Sequence, residues 1–299
     1  MPDRVRVHID GRELELSNLS KVLYPDSGFT KGEVIDYYVR VAAVLLPHLR
    51  DRPLTRIRYP NGVNAPSFFE KNAPLGTPAW VRRHTLPVPG SSTGRETLDF
   101  IVADEVATLV WLANLAAIEL HTPQWRLNGG DPADPDLLVV DLDPGPGVGL
   151  AECSLVAVAA RHRLALDGLA PLAKTSGKKG MQLLARLPGG QTSAEVADYA
   201  RRVAEDLAEA LPELVTAKMT KALRPGKVFF DWSQNAAAKT TVSPYSLRAG
   251  PAPTVSAPFT WDEVDAGQVR PLRTAEVLDR IERYGDLLAP LLGPPARTG

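Results

Sequence analysis

The chain has 299 residues, enough for one large domain or two closely packed lobes, and its 44% hydrophobic and 23% charged composition is that of a globular protein. A single cysteine, Cys153, excludes an intrachain disulfide framework, and five scattered histidines leave no zinc-type ligand cluster. With a net charge of −1, the overall balance does not point to a polyanionic partner.

The N-terminus, MPDRVRVHID, carries charges where a signal peptide needs an apolar run. The longest apolar stretch, 106–118, is shorter than a bilayer span and is flanked by Asp104, Glu105 and Glu119. It reads as part of a buried helix over 104–120, and the chain as cytoplasmic with no membrane partner. Along the chain, VRVHIDGRELELS alternates apolar and polar residues around Asp10-Gly11, a hairpin signal. Thr30 and Glu33 fit a capping box ahead of Val34, Tyr38, Val41 and Leu45, which predicts a helix ending near Pro47. Residues 52–71 show no period, and 87–95 read as a polar loop.

The middle of the chain gives the fold class. A β-run at 137–142 precedes a helix over 151–166. Two strands, 171–175 and 181–187, flank the turn Ser176-Gly177-Lys178-Lys179-Gly180. A second amphipathic helix follows Ser193, and a strand over 228–232 closes the set; 214–227 has room for one more strand. The order β-α-β-β-α-β is that of an α+β, ferredoxin-like (RRM-like) unit, here preceded by an N-terminal α/β lobe. A short helix over 274–289 ends a single domain spanning 1–290, and 291–299 reads as a disordered tail.

Within that unit, Leu-Leu-Val-Val-Asp-Leu-Asp-Pro-Gly places Asp141 and Asp143 on one face of a strand, with Leu142 turned into the core. Two adjacent carboxylates repel unless a cation bridges them, and hard divalent ions such as Mg²⁺ or Mn²⁺ suit oxygen ligands. The topology makes the first and last strands neighbours, which brings Asp231 to the pair, and three acids can hold two metals. The bland reading of Asp141 and Asp143 is strand-end and turn chemistry, since Asp-Pro-Gly is a turn sequence. A haloacid dehalogenase-type phosphatase begins similarly, but Gly145 stands where that motif has Thr or Val.

Charge is also uneven. Residues 174–194 hold four basic side chains and no acid, and 214–250 hold six against Asp231 alone. That distribution fits a polyanion groove as well as separately solvated lysines. The Thr175–Gly180 turn offers backbone amides, a hydroxyl and lysines to a phosphate, although it is not a P-loop.

Taken in order, SKVLYP (20–25), YPNGV (59–63), FFEK (68–71), ELHTPQWR (119–126), DLDPG (141–145), TSGKKG (175–180), KVFFDWSQN (227–235) and KTTVSPYSLR (239–248) resemble the polymerase domain of bacterial ligase D, within the archaeo-eukaryotic primase superfamily. The resemblance runs from about residue 14 to 288. It implies a primase-like catalytic core with a ferredoxin-like palm, which fills gaps and extends ends by template-dependent synthesis in non-homologous end joining, favouring ribonucleotides. Asp141, Asp143 and Asp231 would carry two Mn²⁺ or Mg²⁺ ions; His121, Ser176, Lys179, Gln182 and Arg248 would meet the incoming nucleoside triphosphate. Asn18, Lys21 and Lys31 match a pocket for the 5′ phosphate of the downstream strand at a gap or overhang, a grip that fixes register without reading sequence. Phe68 and Phe69 match template-stacking aromatics, with Arg58 and Lys71 on the template backbone. The loop 88–96 and Arg224 match segments that help bring two DNA ends together.

The resemblance also implies nucleoid association and Ku as a partner; with no ligase or nuclease segment in the sequence, the chain reads either as a stand-alone enzyme working with a separate DNA ligase or as an excised domain. Two departures stand out. Gln182 occupies the last position of a motif that usually reads Ser-Gly-x-Lys-Gly-x-His, and glutamine donates only as a neutral amide. Ala249-Gly250 follows Arg248 where many relatives have another arginine. Weakened by Gln182, the chain would instead be an end-binding and synapsis module with little polymerase activity.

Overall fold

The structure, a computed structural model, describes residues 4–88 and 94–293. Strands β1 (Arg4–Ile9) and β2 (Arg12–Ser17) pair across Asp10 and Gly11, whose φ angles of 48° and 74° are those of a tight hairpin turn. Helix α1 (Lys31–Leu49) starts at a reciprocal Thr30–Glu33 capping box and buries Val34, Tyr38, Val41 and Leu45. It runs through Pro47 to Leu49 instead of ending there, because buried His48 and Leu49 hold the last turn.

Next come β3 (Thr55–Arg58), β4 (Phe68–Glu70), α2 (Val106–Asn114) and β5 (Ala117–Thr122). The single helix expected over 104–120 is thus two elements. Ala116 takes a φ of 59°, reversing the chain after the helix, and Ile118 to Thr122 run as a strand. Apolar residues bury equally well on either element, and the one local mark of the break is Asn114, the last residue of the helix.

The second half contains β6 (Leu137–Pro144), α3 (Leu150–Ala165), β7 (Leu172–Thr175), β8 (Met181–Arg186), α4 (Ser193–Ala210), β9 (Val215–Thr216) and β10 (Val228–Asp231). Short strands β11 (Thr241–Val242), β12 (Leu247–Arg248), β13 (Thr254–Val255), β14 (Pro258–Phe259) and β15 (Leu272–Arg273) lead to α5 (Thr274–Tyr284). That last helix stops short of 289 because Gly285 turns with φ 68°.

One sheet has the order β9-β10-β6-β8-β7-β14, with β6 antiparallel to both β8 and β10, and β8 antiparallel to β7. A second, β11-β5-β3-β4, carries the first half. Leu138, Val140 and Leu142 of β6 join Cys153, Val156 and Ala157 of α3 in the main core, so Val139, Asp141 and Asp143 turn to the opposite face. There Val139 and Leu184 pack with Leu288 and Leu291. Residues 291–293 therefore belong to the packed body and not to a disordered tail, because Leu291 is buried. No helix among the described residues is long and apolar enough to cross a membrane.

The 176–180 turn is docked through Gly177, whose φ is +74° and whose added Cβ would lie 2.5 Å from Arg248 Cγ and 2.8 Å from the Val255 carbonyl carbon. Gly76 has nearly the same φ, +77°, with open space around it. Gly76→Ala should cost about 1 kcal/mol, the backbone effect alone. Gly177→Ala adds a clash and should cost on the order of 3 kcal/mol or more. Thermal unfolding of the two variants checks this; equal losses would mean the turn is not held against β12 and β13.

Candidate active site

Antiparallel pairing of β6 with β10 sets Asp141 directly opposite Asp231, and Asp143 follows two residues on along the same face. Carboxylate oxygens of the three acids lie within 4.8 Å of one another. Burial, then the charge of Asp143, pushes the Asp141 carboxyl up to about 7; burial and Asp231 likewise raise Asp143. Among the described residues none of the three is in an ion pair with a lysine or arginine. Hard oxygen donors with shared, unneutralised charge fit a divalent cation such as Mg²⁺ or Mn²⁺.

Asp231 has a second task, accepting from Ser233 N at 3.0 Å, Ser233 Oγ at 2.6 Å and Gln234 Nε2 at 2.9 Å, which caps the short helical turn Trp232–Asn235. Asp231 therefore both caps this turn and belongs to the acid cluster. The strand end at Pro144-Gly145 is closed by the segment 224–227: Gly145 N donates to Lys227 O at 2.9 Å, and a Cβ at Gly145 would lie 1.9 Å from Arg224 O. Arg224 itself lies inward. Its guanidinium carbon is 3.7 Å from the Phe229 ring centroid, Nη2 donates to Met219 O, and its charge acts on Asp143.

Gln182 stands opposite Asp141 on the other flank of β6, only 4% exposed, and its Nε2 donates to Asp141 Oδ1 at 3.0 Å. Its Oε1 accepts from the Lys174 ammonium. Both ends of the amide are thus taken inside the protein, where the sequence suggested a contact with phosphate. Lys174, which the sequence offered only as one of several basic residues, is fully buried, and burial pushes its ammonium down to about 7.

A second cluster has the opposite logic. Glu119, 1% exposed on β5, accepts from His121 Nε2 at 3.0 Å, Arg248 Nη1 at 3.1 Å, Lys178 Nζ at 3.1 Å and the Ala249 amide at 3.0 Å. Burial alone would raise this carboxyl, but His121, Arg248 and Lys178 hold it at about 2. Burial lowers His121 in turn. The structure therefore brings His121 and Arg248 together, adds Lys178, and leaves Lys179 exposed. Ser176 Oγ accepts from the Gly180 amide at 3.2 Å, which closes the turn. Glu119 lies two residues before His121 and so on the same strand face, a signal hidden while 104–120 reads as helix.

Farther out, the Asn18 carbonyl accepts from Lys21 N, Lys21 Nζ reaches Asn61, and Lys31 Nζ donates to Ser17 O at the start of α1. Burial, then the charge of Lys21, pushes Lys31 down to about 8, so two cations sit close together there. Phe68 and Phe69 are 52% and 61% exposed, which rules out core packing for either ring. Arg58 bonds Leu115 O and Glu70, and Lys71 bonds Ala238 O. Of the loop 88–96, residues 89–93 lie outside the described residues.

Residues 30–288 match the family described as LigD, primase-polymerase domain. The chain is 47% identical over 278 residues to the multifunctional non-homologous end joining protein LigD of Mycolicibacterium smegmatis, covering 93% of this chain and 36% of that protein. It is 46% identical over 283 residues to the multifunctional non-homologous end joining DNA repair protein LigD of Mycobacterium tuberculosis, covering 93% and 37%, and 35% identical over 279 residues to the bifunctional LigD of Bacillus subtilis, covering 91% and 43%. The chain thus spans less than half the length of these relatives. A solved structure of the polymerase domain from Mycobacterium tuberculosis ligase D in complex with DNA matches with a TM-score of 0.89 at 46% identity, covering 93% of this chain and 98% of that one.

The acid cluster has a consequence for stability without any ligand. A carboxyl raised in the folded state favours folding while protonated, and that contribution is lost as pH climbs from about 4 through about 7. Asp141→Asn should therefore unfold later than wild type at pH 8 in chelator, on the order of 2 kcal/mol or a few degrees. The difference should vanish below pH 4, where the carboxyl is protonated in both states. Identical melting at pH 8 would contradict the burial and repulsion described.

Proposed function

Since the chain belongs to the LigD primase-polymerase family, we propose that it is a divalent-metal-dependent nucleotidyltransferase that extends a primer strand across gaps and at broken DNA ends during non-homologous end joining. The observation that carries this reading is the meeting of Asp141, Asp143 and Asp231 within one sheet, with no ion-pair partner among the described residues. On this reading the order β10-β6-β8-β7 is a ferredoxin-like palm, and the acids hold two Mg²⁺ or Mn²⁺ ions. Bound there, such ions supply charge neutralisation for the transferring phosphate and lower the pKa of a primer hydroxyl.

The chain's own residues do the rest. His121, Arg248, Ser176 and Lys179 take the triphosphate, and Glu119 holds the first two in place from below, with Lys178 as a further donor able to leave Glu119. Exposed Phe68 and Phe69 offer rings to template bases, and Arg58 and Lys71 flank them. Asn18, Lys21 and Lys31 grip a downstream 5′ phosphate by charge-assisted hydrogen bonds. Arg224 and the loop 88–96 assist the alignment of two ends. Synthesis follows a template and favours ribonucleotides, and Ku and a DNA ligase activity act on the same ends in the nucleoid. A second reading, an end-binding module with weak synthesis, draws on Gln182, whose amide is turned to Asp141 and Lys174 and brings no positive charge to a phosphate.

Primer extension with Mn²⁺ on a gapped duplex, with either nucleotide type, separates the two. Wild type should extend, and Asp141→Ala should lose more than about a thousand-fold. Lys21→Ala should bind gapped DNA about tenfold more weakly when it bears a 5′ phosphate and equally well when it does not. If wild type is as inert as Asp141→Ala while phosphate-dependent end binding persists, the binding module is the function.

A further inference from the structure

Four residues on four consecutive strands form a single row across the sheet. Asp231 of β10 pairs with Asp141 of β6, Asp141 with Gln182 of β8, and Gln182 with Lys174 of β7. Directly paired residues point to one face, so the row runs from the acids to a lysine that solvent does not reach. A buried lysine is costly unless each of its protons finds an acceptor. Three acceptors are present: Gln182 Oε1, Ser256 Oγ at 2.6 Å and Val242 O at 3.2 Å. Ser256 Oγ spends its own proton on Thr175 O at 3.0 Å, so toward Lys174 it accepts.

We propose that Lys174 is a positioning residue for the metal-binding carboxylates, acting by locking the Gln182 amide so that its nitrogen faces Asp141. The inference rests on the function proposed above. A protonated lysine only donates, so the Lys174 ammonium admits only the amide oxygen of Gln182 on its side. That turns Nε2 to Asp141 Oδ1 and leaves Oδ2 without a protein donor among the described hydrogen bonds. Without Lys174 the amide is free to rotate by half a turn and set its oxygen against Asp141, which repels the carboxylate instead of holding it.

The same logic accounts for the tolerance of glutamine where the motif usually has histidine. Position 182 needs an acceptor toward Lys174 and a donor toward Asp141, and a neutral imidazole offers both, as an amide does. What the site requires there is a two-ended polar group, and charge at 182 is not part of the requirement.

Lys174 also carries a positive charge, which by itself opposes a divalent cation, so the test must separate orientation from charge. Mn²⁺ affinity of the whole protein, read from the electron paramagnetic resonance signal of free Mn²⁺, is measured for wild type, Lys174→Met, Gln182→Met, the double variant and Asp141→Asn. Lys174→Met should weaken Mn²⁺ binding about tenfold when Gln182 is present, and should not weaken it in the Gln182→Met background. Binding of gapped, 5′-phosphorylated DNA in chelator should be unchanged in Lys174→Met, which reports that the variant keeps its fold and its grip on DNA.

An equal change in both backgrounds means that Lys174 acts through charge or packing alone and overturns the inference. If Lys174→Met does not fold, Lys174→Gln takes its place in both backgrounds, with a tenfold loss only when Gln182 is present supporting the inference and wild-type affinity overturning it. Failure of wild type to bind Mn²⁺ in an Asp141-dependent way would instead remove the proposed function, a separate and recognisable outcome.

Discussion

Antiparallel pairing of β6 with β10 forces Asp141 and Asp231 to face each other, and like charges at directly opposed positions destabilise a sheet. The register survives because the other face of the same strands is well packed. Leu138, Val140, Leu142 and Phe230 lie in the main core with Cys153 and Val156 beneath them. A slip of one residue would bury the acids there and expose the leucines, so the apolar face dictates where the carboxylates stand. Their mutual repulsion is then a fixed property of the fold, and a divalent cation is the natural counter-charge.

Around this cluster the direct ion pairs seen elsewhere are absent among the described residues. Arg56 and Arg58 meet Glu70, and Arg163 meets Asp167 and Asp206, yet the three acids accept hydrogen bonds from Gln182, Ser233 and Gln234, all uncharged. A few residues away the balance reverses, since a single carboxylate, Glu119, gathers His121, Arg248 and Lys178. Lys174 lies between the two, feeling the charge of Asp141 on one side and of Arg248 on the other. Acids without a direct ion pair among the described residues, beside cations sharing one acid, make a site polarised for a ligand that carries both signs, as a polyphosphate with divalent ions does on the proposed reading.

Much of this was legible along the chain, for local reasons. Alternation in Leu-Leu-Val-Val-Asp-Leu-Asp identifies a strand and which side its acids occupy, and the Thr30–Glu33 box marks the start of α1. What failed to show was information that resides between segments. The run 106–118 holds no Gly or Pro and only Thr108 and Asn114 as polar residues, too little to mark the reversal at Ala116 or the strand that Glu119 and His121 share. Lys174 and Gln182 acquire meaning only through the register that aligns them with Asp141, and no single strand encodes its neighbour's offset. Leu291 read as tail because its partners, Val139 and Leu184, are more than a hundred residues away in the chain.

The account stands or falls on where a divalent ion settles. Anomalous diffraction at the manganese edge, from crystals equilibrated with Mn²⁺, should give density between Asp141, Asp143 and Asp231, and none there in Asp141→Asn crystals. Manganese density confined to other acidic residues, with the three side chains still in contact and bare, would contradict it.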